Sequence, residues 1–289
     1  MLLTAFALAL AAQPAAPRTL PTATQHDNDR LRTCVALVRT APQQAQASAQ
    51  AWVEEQGANR LMARRCLGLA FAAQEQWAAA ATVYEQAAQA ADAAGDPARA
   101  GFRAQAGNAW LAAGEAPRAL AALDAALATP GLDQQQNGQA LLDRARAQVA
   151  LGRPDRARAD LDSALQIVPA ESLAWYLSAA LARRSNDGAR AATDIARARQ
   201  LAPDDPDIML LAGTIVGQAG NMDEAYRLYR RVVELAPESE AGRQAAASLA
   251  TVREIEVDAP AGGPAASPTT PAPAPAPPQG PPPAQPQAQ

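Results

Sequence analysis

Residues 213–225 read GTIVGQAGNMDEA, and the glycine that opens the run stands where the flanking apolar spacing predicts helix. Glycine costs a helix interior about 1 kcal/mol against alanine, so Gly213 asks for a compensating contact. The run closes on Ala225, twelve residues on. Small residues twelve apart recur as Gly68/Ala80, Gly107/Ala119, Ala145/Ala157 and Ala179/Ala191. Four residues after each alanine comes a larger apolar side chain: Tyr84, Leu123, Leu161, Ile195 and Tyr229. Three residues further stand Ala87, Ala126, Ala164, Ala198 and Val232. These offsets put all of them on one helical face, repeated along the chain.

Three prolines mark the same rhythm. Pro169, Pro203 and Pro237 are each 34 residues from the last, in QIVP, QLAP and ELAP. Proline just beyond an apolar helix is a stop signal. The spacing predicts helices over Ala174–Arg184 and Ala189–Leu201, then Asp207–Gly217 and Met222–Leu235. A 34-residue helix–turn–helix period resembles the tetratricopeptide repeat, whose pattern is W-x2-L-G-x2-Y, then A-x3-F, then P. Leu67-Gly68 with Phe71, Gly107 with Trp110, and Trp175 carry the likeness. Departures occur too. Arg144 and Gln148 occupy expected apolar positions, and Ser178-Ala179 replaces Leu-Gly. The first two steps are 39 and 38 residues, with extra residues in AADAAGDPARA and ATPGLDQQQNGQ.

The resemblance implies an all-α fold: a right-handed superhelical solenoid of antiparallel helix pairs, with five repeats over residues 58–237. It also implies that each small residue marks the close crossing of its two helices. Residues 27–57, with helices expected over Asp27–Thr40 and Gln43–Glu55, read as a degenerate N-terminal pair or cap, because terminal repeats are atypical. Residues 238–257 read as a C-terminal capping helix. Residues 258–289 read as a disordered, Pro/Ala-rich tail, since half of the 24 prolines lie in the last 30 residues and such a composition has no capacity for a core. That tail is a spacer or a ligand for a proline-binding module.

The opening MLLTAFALALAA is a short apolar run ending in small residues, which predicts a signal peptide over residues 1–12, followed by a linker over 13–26. No Arg or Lys precedes it, and a buried N-terminal helix is the other reading. A signal implies a periplasmic or secreted protein, and its absence a cytoplasmic one. The run is too short to span a bilayer, so no transmembrane segment is expected after its removal. The two cysteines, Cys34 and Cys66, suit a disulfide in an exported protein. Their ring is worth roughly 3–4 kcal/mol in the chain-entropy model. In a cytosolic protein they would be free thiols.

Composition narrows function. Net charge is −4 and all 25 basic residues are Arg, so no electrostatic grip on nucleic acid is expected, and each cation is a planar fork suited to carboxylates. One His and two Cys cannot supply a typical zinc site. Without Lys there is no phosphate-loop motif. Asp204-Asp205-Pro206-Asp207 reads as loop chemistry with Asp207 capping a helix. No enzyme activity, cofactor or metal is expected. What the resemblance implies instead is a concave groove lined by the first helix of each repeat. Asn108, directly after Gly107, occupies a position that often bonds a ligand backbone in the family. The same face carries Leu69, Arg65, Gln139, Leu142, Arg146, Tyr176, Ala180, Arg183 and Thr214. Arg65, Arg146 and Arg183 beside Asn108 and Tyr176 would suit an extended peptide that is acidic or ends in a carboxylate. The expected function is thus a protein-binding scaffold in the cell envelope. The alternatives are a structural homo-oligomer, using Trp52, Trp77 or alanine-rich faces, and a regulatory subunit; the oligomeric state stays open.

Overall fold

A computed structural model of the protein describes residues 25–55 and 60–258. The expected signal over 1–12, nearly all of the linker, and the tail beyond Asp258 lie outside the described residues. Among those described, thirteen helices and no strand occur. They are α1 (Gln25–Thr40), α2 (Pro42–Glu54), α3 (Arg60–Ala72), α4 (Trp77–Ala94), α5 (Arg99–Ala112), α6 (Ala116–Leu127) and α7 (Gln134–Ala150). Then come α8 (Pro154–Ile167), α9 (Ser172–Arg184), α10 (Gly188–Leu201), α11 (Pro206–Gln218), α12 (Met222–Leu235) and α13 (Glu240–Asp258). Each helix packs mainly on its neighbours in sequence, and each odd helix from α1 to α11 also meets another odd helix or the following pair. One compact unit ends at Leu249, inside α13. In that unit Ala241 and Ala245 are buried against α11 and α12.

The helices begin and end where local chemistry directs. Pro169, Pro203 and Pro237 each follow the last residue of α8, α10 or α12 by two. Asp133 and Gln136 form a reciprocal capping box at α7, and Asp187 and Asn221 cap α10 and α12. At α11 the cap is Asp205, whose carboxylate accepts from the Asp207 and Ile208 amides. The expected cap, Asp207, lies instead in the first turn, where its charge complements the helix dipole. Pro206 takes the first helical position, which makes Asp205, two residues before Asp207, the cap. The inserted residues lengthen α4 to 18 residues and α7 to 17. Gly131, at φ +129, lets the second insertion press against the first: a Cβ there would sit 2.5 Å from the Pro97 carbonyl.

The five-fold face is the core. Ala80, Ala119, Ala157, Ala191 and Ala225 are all at most 1% exposed, and Ala87, Ala126, Ala164, Ala198 and Val232 are at 0%. The glycines lie where the two helices of a pair approach closely. What fills the space over the glycine is the larger residue sixteen on, not the alanine twelve on. A Cβ on Gly107 would meet Leu123 Cγ at 2.5 Å, one on Gly213 would meet Tyr229 Cε1 at 2.7 Å, and one on Gly68 would run into the Tyr84 ring. The reason is geometric: in an antiparallel pair the large side chain leans back along its own helix toward the earlier turn.

Two of the departures at repeats three and four, at Arg144 and at Ser178, are matched pairs. The residue before each small position faces the residue sixteen later. Leu67 and Val83 are apolar there, as are Ala212 and Leu228. In the third repeat this pair is Arg144 and Asp160, joined by two parallel bonds of 2.8 and 2.7 Å. Arg144 also donates to Asp124 of the preceding pair at 2.9 Å. In the fourth it is Ser178 and Asp194, with the Ser178 hydroxyl donating to Asp194 and Arg158 donating to that hydroxyl at 2.8 Å. In these two pairs the buried polar groups are tolerated because each partner satisfies the other; Gln148, the remaining departure, is buried with its Oε1 lacking a partner among the described residues.

Cys34 on α1 and Cys66 on α3 form a disulfide with Cα atoms 6.0 Å apart. It ties the N-terminal pair to the array. Trp52, one of the aromatics expected for a homodimer, is 2% exposed beneath Arg30, 4.5 Å from its ring. It is a core residue, buried because α2 turns its apolar face to α1 and α3.

Candidate functional site

The first helices of successive pairs line a groove with two cavities. The larger, about 540 Å³, is bounded by α3, α5 and α7 and the start of α4, with Leu69, Trp77, Ala104, Gln105, Asn108 and Asp143 on its walls. The smaller, about 160 Å³, lies between α7 and α9, where Arg146 and Arg184 flank Val149, Leu177 and Leu181. Both mix apolar walls with a few convergent polar groups, which is the usual character of a binding site.

Asn108 and Arg146 meet on a residue the sequence reading passed over. Asn108 Nδ2 donates to Asp143 Oδ2 at 2.9 Å, and Arg146 Nη1 donates to Asp143 Oδ1 at 3.1 Å. Asp143 is only 3% exposed. Burial pushes its carboxyl above the ordinary carboxylate range, against the pull of Asn108, Arg146 and Gln139. A chain carboxylate thus sits where an acidic ligand was expected. One signal was available: Gln139, Asp143 and Arg146 follow the i, i+4, i+7 spacing of one helix face.

Of the other predicted residues, Arg65, Tyr176 and Arg183 line neither cavity. Arg65 is exposed on α3 and lies near Tyr84, whose phenol burial pushes up to about 12 while Arg65 pulls it down. Tyr176 is half-buried on α9. Burial raises its phenol, with Asp207 and Asp205 adding to the rise and Arg183 opposing it. Arg183 Nε is buried without a hydrogen-bond partner among the described residues. Leu142 does not face the groove: it is 0% exposed, in the core between α7 and α8. One position along α7 turns it about 100° from Asp143. Leu69 and Gln139 line the larger cavity and Ala180 the smaller.

Stacked antiparallel helix pairs, each packed on the next, define a helical-repeat protein. Residues 104–172, 142–206 and 176–240 each match the tetratricopeptide repeat family model, and the chain is a tetratricopeptide repeat protein. No curated protein matches its sequence. Among solved structures it is similar to PilW, a widely conserved type IV pilus biogenesis factor, at 20% identity and TM-score 0.65, over 77% of this chain and 99% of that one. It is similar to pilF of Pseudomonas aeruginosa at 14% identity and TM-score 0.62, over 77% and 97%. A thermophilic tetratricopeptide protein of Thermus thermophilus matches at 20% identity and TM-score 0.55, over 66% and 99%. At these identities the likeness is one of fold.

Proposed function

We propose that the protein is a non-enzymatic scaffold that holds an extended segment of a partner protein in the groove between α3 and α9, within the cell envelope. The observation that carries this reading is the open groove itself: two cavities on one face, walled by apolar side chains and studded with amides and guanidinium groups. An extended peptide needs such alternation, since its side chains bury while its backbone amides find partners. The α7–α9 half supports the acidic-segment reading. Arg146 and Arg184 rim its cavity. The disulfide suits an oxidising compartment, and one structural neighbour is a pilus biogenesis factor.

Photo-crosslinking in intact cells tests the reading. A crosslinking residue at Ala180 or Leu69, on the groove, should trap one dominant partner. The same residue at Thr193, exposed on α10, should not. Changing Asn108, Arg146 and Arg183 together to Ala should abolish the groove product while the helical signal is kept. A product that forms equally from Thr193, or survives the triple change, moves the binding face elsewhere. Fractionation after osmotic shock checks the compartment: release with cytosolic markers refutes the envelope assignment.

A further inference from the structure

The proposed groove has two halves of different chemistry. In the α3–α5–α7 half, the walls beside Asp143 are apolar side chains and neutral amides. Asp143 supplies the charge there, and it is negative. Asn108 donates to one of its oxygens and Arg146 to the other, and Gln139 also bonds the carboxylate. A carboxylate has about four acceptor sites, so room for a further donor is left. Gln105 Oε1 lines the same cavity and is buried with no donor among the described residues. An indole ring, Trp77, forms another wall. A buried carboxylate, an orphaned amide oxygen and an aromatic face all call for a hydrogen-bond donor with positive charge. The stem of such a side chain would lie on Leu69 and Ala104, since long basic side chains cover apolar surface with their methylenes.

Resting on the groove reading, we infer that the α3–α5–α7 half selects a lysine or arginine side chain of the bound segment, taken up by Asp143 and Gln105 against the Trp77 ring. The sign of the groove then reverses at α7. Asp143 lines one cavity and Arg146, three residues on, lines the next. The segment is read in one direction, with its basic residue toward α3 and any acidic residue toward α9. The incompletely compensated burial of the Asp143 carboxylate agrees with this, because a ligand cation supplies what the chain's own donors do not.

The test uses the full chain with its disulfide intact and a displayed library of random dodecapeptides. Enriched peptides should share a Lys or Arg at one fixed position. In titrations followed by fluorescence anisotropy, replacing that residue by norleucine should weaken binding about tenfold or more, as loss of a hydrogen bond to a charged group does. Asp143→Asn should erase the difference between the two peptides. Gln105→Met, which leaves the charge in place, should narrow the difference without erasing it, and guards against a folding defect in the first variant. Enrichment of acidic or purely apolar residues at that position overturns the inference but leaves the groove reading intact. So does discrimination that persists in Asp143→Asn. A library that yields no binder, or binders indifferent to changes at both Asn108 and Arg146, overturns both.

Discussion

Two glycines of α5 offer a direct measure of how closely the helices of a pair approach. Gly107 and Gly101 share one helix, and in each the change to alanine adds the same methyl and gains the same propensity, about 1 kcal/mol. Their surroundings differ. A Cβ on Gly101 meets nothing within 4 Å, while one on Gly107 meets Leu123 Cγ at 2.5 Å and both Cδ atoms at 2.9 and 3.2 Å. Leu123 is 0% exposed, so it has no open space to enter, and the clash is at its branch point rather than a flexible tip. Overpacking of this kind costs about 1–3 kcal/mol. Gly101→Ala should therefore stabilise by up to about 1 kcal/mol, and Gly107→Ala should be neutral to about 2 kcal/mol destabilising. The difference between them, about 1–3 kcal/mol, isolates the contact because the propensity cancels. Urea unfolding followed by circular dichroism at constant slope gives both values. Repeats three and four show what relief looks like, since Ala145 and Ala179 already face Leu161 and Ile195 where Arg144–Asp160 and Ser178–Asp194 brace the crossing. Equal shifts of the same sign in the two variants would refute the idea that Gly107 is kept for close approach.

Three further outcomes are expected. Changing Arg144 alone to Leu strands the nearly buried Asp160 carboxylate and should cost about 3 kcal/mol, whereas Arg144→Leu with Asp160→Val, copying Leu67 and Val83, should be near neutral or stabilising; equal losses in single and double variants would show that the pair is not the unit. Reduction should lower the thermal midpoint of the wild type by the equivalent of about 3 kcal/mol and leave Cys34→Ser unmoved, and an insensitive wild type would remove the Cys34–Cys66 bridge from the account. Asp143 has a raised folded pKa, so ionising it costs stability: the cost is absent below its unfolded value and grows as pH rises through the window up to the folded one. Facing it are Asn108, Gln139 and Arg146, none of which titrates in that window. Asp143→Asn should thus raise the midpoint at neutral pH, and the gain should vanish in acid; a gain that persists at low pH would place its origin outside that carboxyl.

Periodicity made most of the fold legible. Spacings of twelve, sixteen and 34 residues are consequences of helix geometry and repeat length, so the helix pairs and their core alanines could be read from the chain alone, as could the cysteine pair on neighbouring first helices. Local chemistry was nearly as readable, with the cap misplaced by two residues at α11 because Asp205 and Asp207 are equivalent in composition and only the backbone path past Pro206 separates them. The site was less so. Asn108 and Arg146 were named for the groove, yet their partner Asp143 was not, because a lone acid on a helix reads as solvated surface until the neighbouring helix covers it. Leu142 was placed on the groove face for the same reason, one residue and about 100° away from the true one.

What the sequence by itself determined is therefore everything that repeats: helical class, pair boundaries, core face and the small residues at each crossing. Those features depend on separations along the chain, and separations are written in the chain. The tertiary structure alone decided the pairings that occur once: Arg144 with Asp160, Ser178 with Asp194, and Asn108 and Arg146 with Asp143. Each depends on which faces of three different helices come together and on how far burial raises the value of a polar contact, and no period in the sequence records either.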